Sequence, residues 1–264
     1  MLSETMTAKD FSIDWQGDVV IFTLRSPRRL NALTKSMAYG LSDCIDEMPG
    51  KGVRAIIITG EGRAFCAGTD LKEAAEMGSV AATAKANFLR DLFFRIQNLP
   101  LTSIAAVNGV ALGGGMELAL ACTLRIAAPD AGFGLPEVKL AVIPAYGGTQ
   151  MLPALVGKSH ATDMMLTGRT LEISEAFSIG LVNRIASADA SLLDQAIAYG
   201  REITVNSQLA INNIRKCIDK AGPDVTRAGL DFEEAVCKEQ SGSHDSGEGV
   251  KAFLEKRAPN YLHK

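Results

Sequence analysis

Asn108-Gly-Val-Ala-Leu-Gly113-Gly114-Gly115-Met116-Glu117-Leu-Ala-Leu-Ala-Cys122 is the stretch on which the chain turns. It reads as a strand end, then consecutive glycines, then an apolar helical segment with an acid in its first turn. Residues without Cβ let the backbone turn sharply and let another group approach its amides closely. Where such a loop opens a helix, unpaired N–H groups and the positive end of the dipole favour negative charge, bound or developing. Glu117 lies beside that spot. Taken alone, a first-turn glutamate complements the dipole or caps the helix. Next to an oxyanion site it also fits general acid/base work on a carbonyl compound.

On either side of this stretch, strand-like and helix-like segments alternate. Residues 11–15 and 19–24 read as a hairpin around Gln16-Gly17-Asp18. A loop from Ser26 to Asn31 follows, and Thr34 caps a helix to about Met48, where Pro49-Gly50 stops it. The β-branched run over 53–59 predicts a buried strand, and 60–70 is a second glycine-punctuated loop. Helical spacing recurs over 80–98 and ends before Pro100. Residues 102–107 form the strand that enters the glycine loop, 124–128 another strand, and 129–137 an irregular segment. Beyond Gly147-Gly148-Thr149 the chain reads as helices over 149–156, 159–167, 174–179, 189–205, 208–220 and 223–239, with a short strand at 185–186. This alternation predicts an α/β core. The division expected is a core over residues 1–200 and a helical region over 201–264 that docks on the core or on a neighbouring subunit.

Composition bounds the function. The chain has 264 residues, 47% of them hydrophobic and 22% charged, which is enough to bury a full core. A net charge of −3 gives no general attraction to nucleic acid or anionic lipid, so neither is an expected partner. Cys44, Cys66, Cys122, Cys217 and Cys237 are scattered without a C-x-x-C, two of them in apolar surroundings that read as core. Reduced thiols in a cytoplasmic protein are the simplest reading. The opening residues 1–10 show neither a signal nor a transit pattern, and no apolar stretch reads as a membrane span. His160, His244 and His263 lack metal-ligand spacing and read as surface or capping residues. No G-x-S-x-G is present, and no Gly-Lys-Ser/Thr follows the glycines, so neither a serine hydrolase nor a P-loop is indicated.

Eight segments carry a resemblance in register. They are Ser26-Pro-Arg-Arg-Leu-Asn-Ala-Leu33, Gly62-Arg-Ala-Phe-Cys-Ala-Gly-Thr-Asp-Leu-Lys72, Ala106-Val-Asn-Gly-Val-Ala-Leu-Gly-Gly-Gly-Met-Glu-Leu118 and Phe133-Gly-Leu-Pro-Glu137. Tyr146-Gly-Gly-Thr-Gln150, Leu166-Thr-Gly-Arg169, Gly180-Leu-Val-Asn183 and Glu248-Gly-Val-Lys-Ala-Phe-Leu-Glu-Lys-Arg257 complete the set. In this order the chain resembles the crotonase, or enoyl-CoA hydratase/isomerase, superfamily over nearly its whole length. The resemblance implies an α/β spiral of ββα turns with a helical C-terminal region that builds trimers, usually paired as hexamers. It implies an acyl-CoA thioester as ligand, a place in fatty-acid metabolism, and no metal or redox cofactor, coenzyme A being part of the substrate.

Carried over residue by residue, the resemblance implies that the backbone N–H groups of Thr69 and Gly114 hold the thioester oxygen. Glu117 and Glu137 have the spacing of the hydratases, in which both acids hold a water; members that only shift a double bond need the acid at the Glu137 position alone. Read by itself, Glu137 is a solvated loop carboxylate. The expected reaction is syn hydration of a 2-enoyl-CoA, with Glu117 taking the proton from water and Glu137 supplying the proton to Cα. CoA would be gripped by Arg28 and Leu30, by the segment Ala67, Thr69, Asp70, Leu71 and Lys72, and by Phe253 and Lys256 from a neighbouring subunit. Lys256-Arg257 reads equally as the solvated face of a terminal helix. Thr123, Ala145, Tyr146, Met151 and the 243–246 segment depart from the usual hydratase pattern, and Thr123 removes an acid that would support an ion pair. The alternatives are another lyase or isomerase of the family, such as a dehydratase of a specialised hydroxyacyl-CoA, or a relative that binds CoA or RNA without catalysis.

Overall fold

The computed structural model describes residues 3–222 and 225–264. Contacts group the residues up to Gly200 into one compact unit and those from Arg201 onward into another.

The first unit begins with strands β1 (Ser3–Thr7), β2 (Phe11–Gln16) and β3 (Val19–Leu24), an antiparallel meander in which Phe11 faces Leu24. Burial alternates along β2, as in a strand with one face on the core. The sequence reading gives no element to residues 1–10. β1 lies there because backbone pairing to β2 holds a polar edge strand that has no apolar alternation of its own. Met1 and Leu2 lie outside the described residues. Helix α1 (Lys35–Glu47) is capped as expected, Thr34 Oγ1 accepting from Met37 N at 3.2 Å.

From here the chain repeats one move: a strand enters a large sheet, a short strand enters a small one, and a helix leads back. The first round is β4 (Ala55–Gly60), β5 (Ala64–Cys66), α2 (Leu71–Glu76) and α3 (Ser79–Gln97). The second is β6 (Thr102–Val107), β7 (Val110–Leu112) and α4 (Gly114–Ala121). The third is β8 (Leu124–Ala127), β9 (Gly132–Gly134), a 3-10 turn over Pro136–Leu140 and α5 (Gly148–Thr167). Strands β10 (Thr170–Glu172) and β11 (Arg184–Ile185), with α6 (Ile173–Ser178) between them, close the series. The large sheet runs β1-β2-β3-β4-β6-β8-β11 and the small one β10-β9-β7-β5. This is the α/β spiral expected from the sequence.

β4 and β6 are buried along almost their whole length, which explains their continuous apolar runs. Phe22, Phe65, Phe93 and Phe133 are fully buried in the core. Each such ring contributes roughly 1.5–3 kcal/mol relative to exposure. The 60–70 and 129–137 segments, read as irregular, contain β5 and β9. Three residues carry no usable periodicity, and both strands exist through parallel pairing to β7. The short helix α2 was also unread. The two helices expected over 149–156 and 159–167 are both present within α5, which is kinked between them where Gly157 adopts a non-helical conformation at φ 80°.

Helix α7 (Leu192–Thr204) starts later than the expected 189, where Ser191 Oγ accepts from Asp194 N. In the second unit, α8 (Gln208–Lys220) has the expected bounds. α9 (Arg227–Ser241) begins after the Thr226 cap rather than at 223; Pro223 and Asp224 lie outside the described residues. α10 (His244–Leu254) follows. Buried Asp245 accepts from Leu262 N and His263 N at 2.8 and 2.9 Å, tying the last residues back onto α10. Lys256 lies past the end of α10 with φ 55°, so it is not on the helical face considered for it.

Candidate active site

Loops of the first unit interlock around the glycine triplet. The loop after β3 pairs with the loop after β5: Ala67 N donates to Leu30 O at 2.9 Å and Leu33 N to Gly68 O at 2.7 Å. Asn31 underpins both, its buried amide donating to Glu61 O and Ala64 O. The glycine triplet packs directly beneath, where a Cβ on Gly115 would overlap the Cys66 carbonyl oxygen. Only glycine allows this approach of two backbones. Gly114 is the first residue of α4, where a backbone N–H has no intrahelical acceptor. Among the described residues the Thr69 N–H likewise has no acceptor.

These loops form the inner wall of a cleft of about 270 Å³. Ala67, Gly68, Thr69 and Leu71 line it from one loop, Gly113, Gly114 and Glu117 from the triplet and α4. Pro136, Glu137 and Leu140 line it from the 3-10 turn, and Val142, Ile143, Ala145 and Tyr146 from the segment before α5.

Glu117 is 1% exposed. Its Oε1 accepts from Tyr146 N and Gly148 N, both at 2.8 Å. A Cβ on Gly148 would come within 3.1 Å of this carboxylate, so glycine at that position permits the contact. Burial pushes the Glu117 carboxyl up to about 7; the two N–H donors pull it down and the Glu137 charge adds a smaller upward push. Glu137 is half-buried, its carboxyl also raised by burial, and its Oε2 has no hydrogen-bond partner among the described residues. Two acids in one cleft, both biased toward protonation by burial, can hold and pass protons there.

The chain matches the family described as enoyl-CoA hydratase/isomerase over residues 14–264. It belongs to that family. A probable enoyl-CoA hydratase of Mycobacterium bovis is 38% identical over 263 residues, covering 98% of this chain and all of that one (100%). Among solved structures, an enoyl-CoA hydratase from Bacillus anthracis superimposes with a TM-score of 0.91 at 36% identity, covering 97% of this chain and 100% of the other. DspI of Pseudomonas aeruginosa gives 0.89 at 31% identity, covering 96% and 97%.

Of the residues expected from the family pattern, the structure gathers Ala67, Thr69, Leu71, Gly114, Glu117 and Glu137 on the cleft. Arg28 is exposed, and Leu30 lies on the loop paired to Ala67. Asp70 turns away from the cleft. Its Oδ1 accepts from Lys72 N and Glu73 N, and its Oδ2 meets Arg29 Nη1 at 2.6 Å. The Glu73 N–H, with Arg29 adding to it, holds the Asp70 carboxyl below the usual range. Lys72 is exposed on α2, and in the second unit Phe253 and Lys256 are exposed.

Sequence reasoning missed Leu140, Val142 and Ile143, which put exposed apolar side chains at the cleft. An apolar run inside an irregular segment was the available signal. It also missed Lys85, nearly buried, which donates to Leu33 O and Glu73 Oε2 and so ties α2 and α3 to the loop after β3. At the Thr123 departure no ion pair is needed. Thr123 and Ser103 exchange hydrogen bonds, and buried Arg125 is satisfied by the carbonyls of Leu181, Cys122 and Ala119. Cys44, Cys66 and Cys122 are all buried, one more core thiol than expected. Among the described residues no helix is long and apolar enough to cross a membrane.

Proposed function

We propose that this chain is an enoyl-CoA hydratase, adding water reversibly and syn across the double bond of a 2-enoyl-CoA thioester. The observation that carries the reading is the presence of Glu117 and Glu137 on one cleft with Thr69 and Gly114. The thioester oxygen accepts from the Thr69 and Gly114 amides. Water attacks Cβ, Glu117 takes its proton, and the π electrons move toward Cα while enolate charge collects on the thioester oxygen. Each amide aimed at that charge is worth on the order of 10²–10³ in rate. Glu137 then delivers a proton to Cα and the carbonyl re-forms.

The raised carboxyls support these roles. Glu117, anchored through Oε1, is a stronger base than an ordinary carboxylate, and a proton on Glu137 Oε2 meets little competition from the protein. Water adds without net change of oxidation state, so the reaction needs no redox cofactor, and in this reading the two acids and two amides supply the base, the acid and the charge stabilisation. One proton must return from Glu117 to Glu137 after each turnover.

Arg28, Leu30 and the backbone from Ala67 to Lys72 would hold the CoA portion, with Phe253 and Lys256 reaching a neighbouring subunit's CoA. Homo-trimers, single or paired, fit this arrangement. Large apolar side chains exposed in the second unit, among them Ile214, Ile218, Leu230 and Phe253, support self-association. Loss of the conjugated thioester absorbance of crotonyl-CoA tests the reaction, and the absence of turnover by the wild type would overturn it. An isomerase needing only Glu137 would keep its activity in Glu117→Gln. Mass measurement in solution tests the assembly, which a monomer would contradict.

A further inference from the structure

The side chain of Tyr146 touches the site on several sides at once. Its phenol oxygen lies 2.7 Å from Thr69 Oγ1. Its ring lies so close to Gly114 that a Cβ there would come within 2.7 Å of Cε2. The ring also meets buried Phe93 edge-on, with 5.9 Å between centroids. A ring braced by an aromatic edge and tied at its hydroxyl is a fixed wall rather than a swinging gate. The residue's main chain has a separate task, because Tyr146 N donates to Glu117 Oε1. A change of side chain therefore leaves the donor that anchors Glu117 in place.

Thr69 and Gly114 are the residues whose amides face the thioester oxygen in the reading above, and the Tyr146 side chain reaches from one to the other. It lines the cleft beside both of them, together with Glu117 and Glu137. Leu140, Val142 and Ile143 also line the cleft, but their side chains are exposed.

We propose that Tyr146, clamped between Thr69 and Phe93, is the specificity-determining residue of the cleft and restricts the acyl group to short chains. The inference rests on the acyl-CoA reading of the same site. A methylene accepted or refused by an apolar pocket changes selectivity by roughly 10–200-fold, so a wall of one aromatic ring suffices.

Calorimetric binding of saturated acyl-CoAs from butanoyl to decanoyl tests it on the full chain. The wild type should bind butanoyl-CoA about 10-fold or more tightly than octanoyl-CoA. Tyr146→Ala should erase or reverse that preference by a similar factor, while Tyr146→Phe, which keeps the ring, should retain the wild-type order. If the alanine variant does not fold, Tyr146→Leu gives the same comparison. An unchanged chain-length profile in the shortened variant, or a flat profile in the wild type, overturns the inference. Crotonyl-CoA turnover measured alongside separates the two readings. A size limit without turnover removes the hydratase reading alone, and turnover with a flat binding profile removes the size limit alone.

Discussion

On the inner side of the cleft, Glu117 is 1% exposed and held by two backbone N–H donors, among loops whose backbones touch. On the outer side, Glu137 stands half-buried in a short 3-10 turn that ends at exposed Leu140, with exposed Val142 and Ile143 after it. The inner side fixes a carboxylate through main-chain groups that no side-chain substitution removes. The outer side fixes its acid through few contacts and leaves apolar surface next to it. One acid of the cleft is thus locked by main-chain donors, and the other stands where fewer contacts hold it.

The contrast breaks most easily at Glu117. Glu117→Gln keeps an acceptor for both N–H groups but removes the base, so hydration of crotonyl-CoA should fall by about 10²–10⁴-fold with the fold intact. Steady-state kinetics and circular dichroism check both halves. A variant with full turnover would remove Glu117 from the mechanism.

The same residue should mark stability. Its carboxyl is raised from 4.5 to about 7, so between those values the folded state binds more protons than the unfolded one. The stability it contributes is present below pH 4.5 and is lost as pH rises through about 7. Relative to Glu117→Gln, the wild type should lose on the order of 3 kcal/mol from pH 4 to pH 8, read by denaturant unfolding.

Gly148→Ala tests whether the inner wall is as unyielding as its contacts suggest. A Cβ 3.1 Å from Glu117 Cγ and Oε1 requires that side chain to give by a few tenths of an ångström, so kcat should fall by less than the order of 10² that a misplacement of about 1 Å costs. Smallest of all, Ile143→Ser on the exposed outer segment should change unfolding free energy by no more than about 0.5 kcal/mol. Unchanged kcat in Gly148→Ala, or a loss of well over about 0.5 kcal/mol in Ile143→Ser, would abolish the distinction between the walls.

Much of the first unit was legible because long strands and helices carry their burial in their periodicity. The β-branched run ending at Thr59 and the cap at Thr34 needed no tertiary information. Strands β5 and β9 and helix α2 were not legible, since three to six residues among glycines and small side chains take their form from neighbours. Within the site, the chemistry-bearing residues stood out by their motifs. The Tyr146 and Gly148 amides that hold Glu117 did not, because a backbone donor leaves no mark on residue type. Nothing in the helical spacing over 80–98 marks Lys85, whose contacts to Leu33 and Glu73 come from segments distant in sequence.

By itself the sequence determined the α/β alternation, the family pattern and the two acids beside a glycine triplet. Each of these follows from local spacing or from the conformational freedom of residues without Cβ. Only the tertiary structure decided that Glu117 is anchored by two amides, that Asp70 turns away to cap α2, and that the Tyr146 ring spans from Gly114 to Thr69. Those facts depend on loops distant in sequence meeting within hydrogen-bond reach, and the folding of the whole unit brings them there.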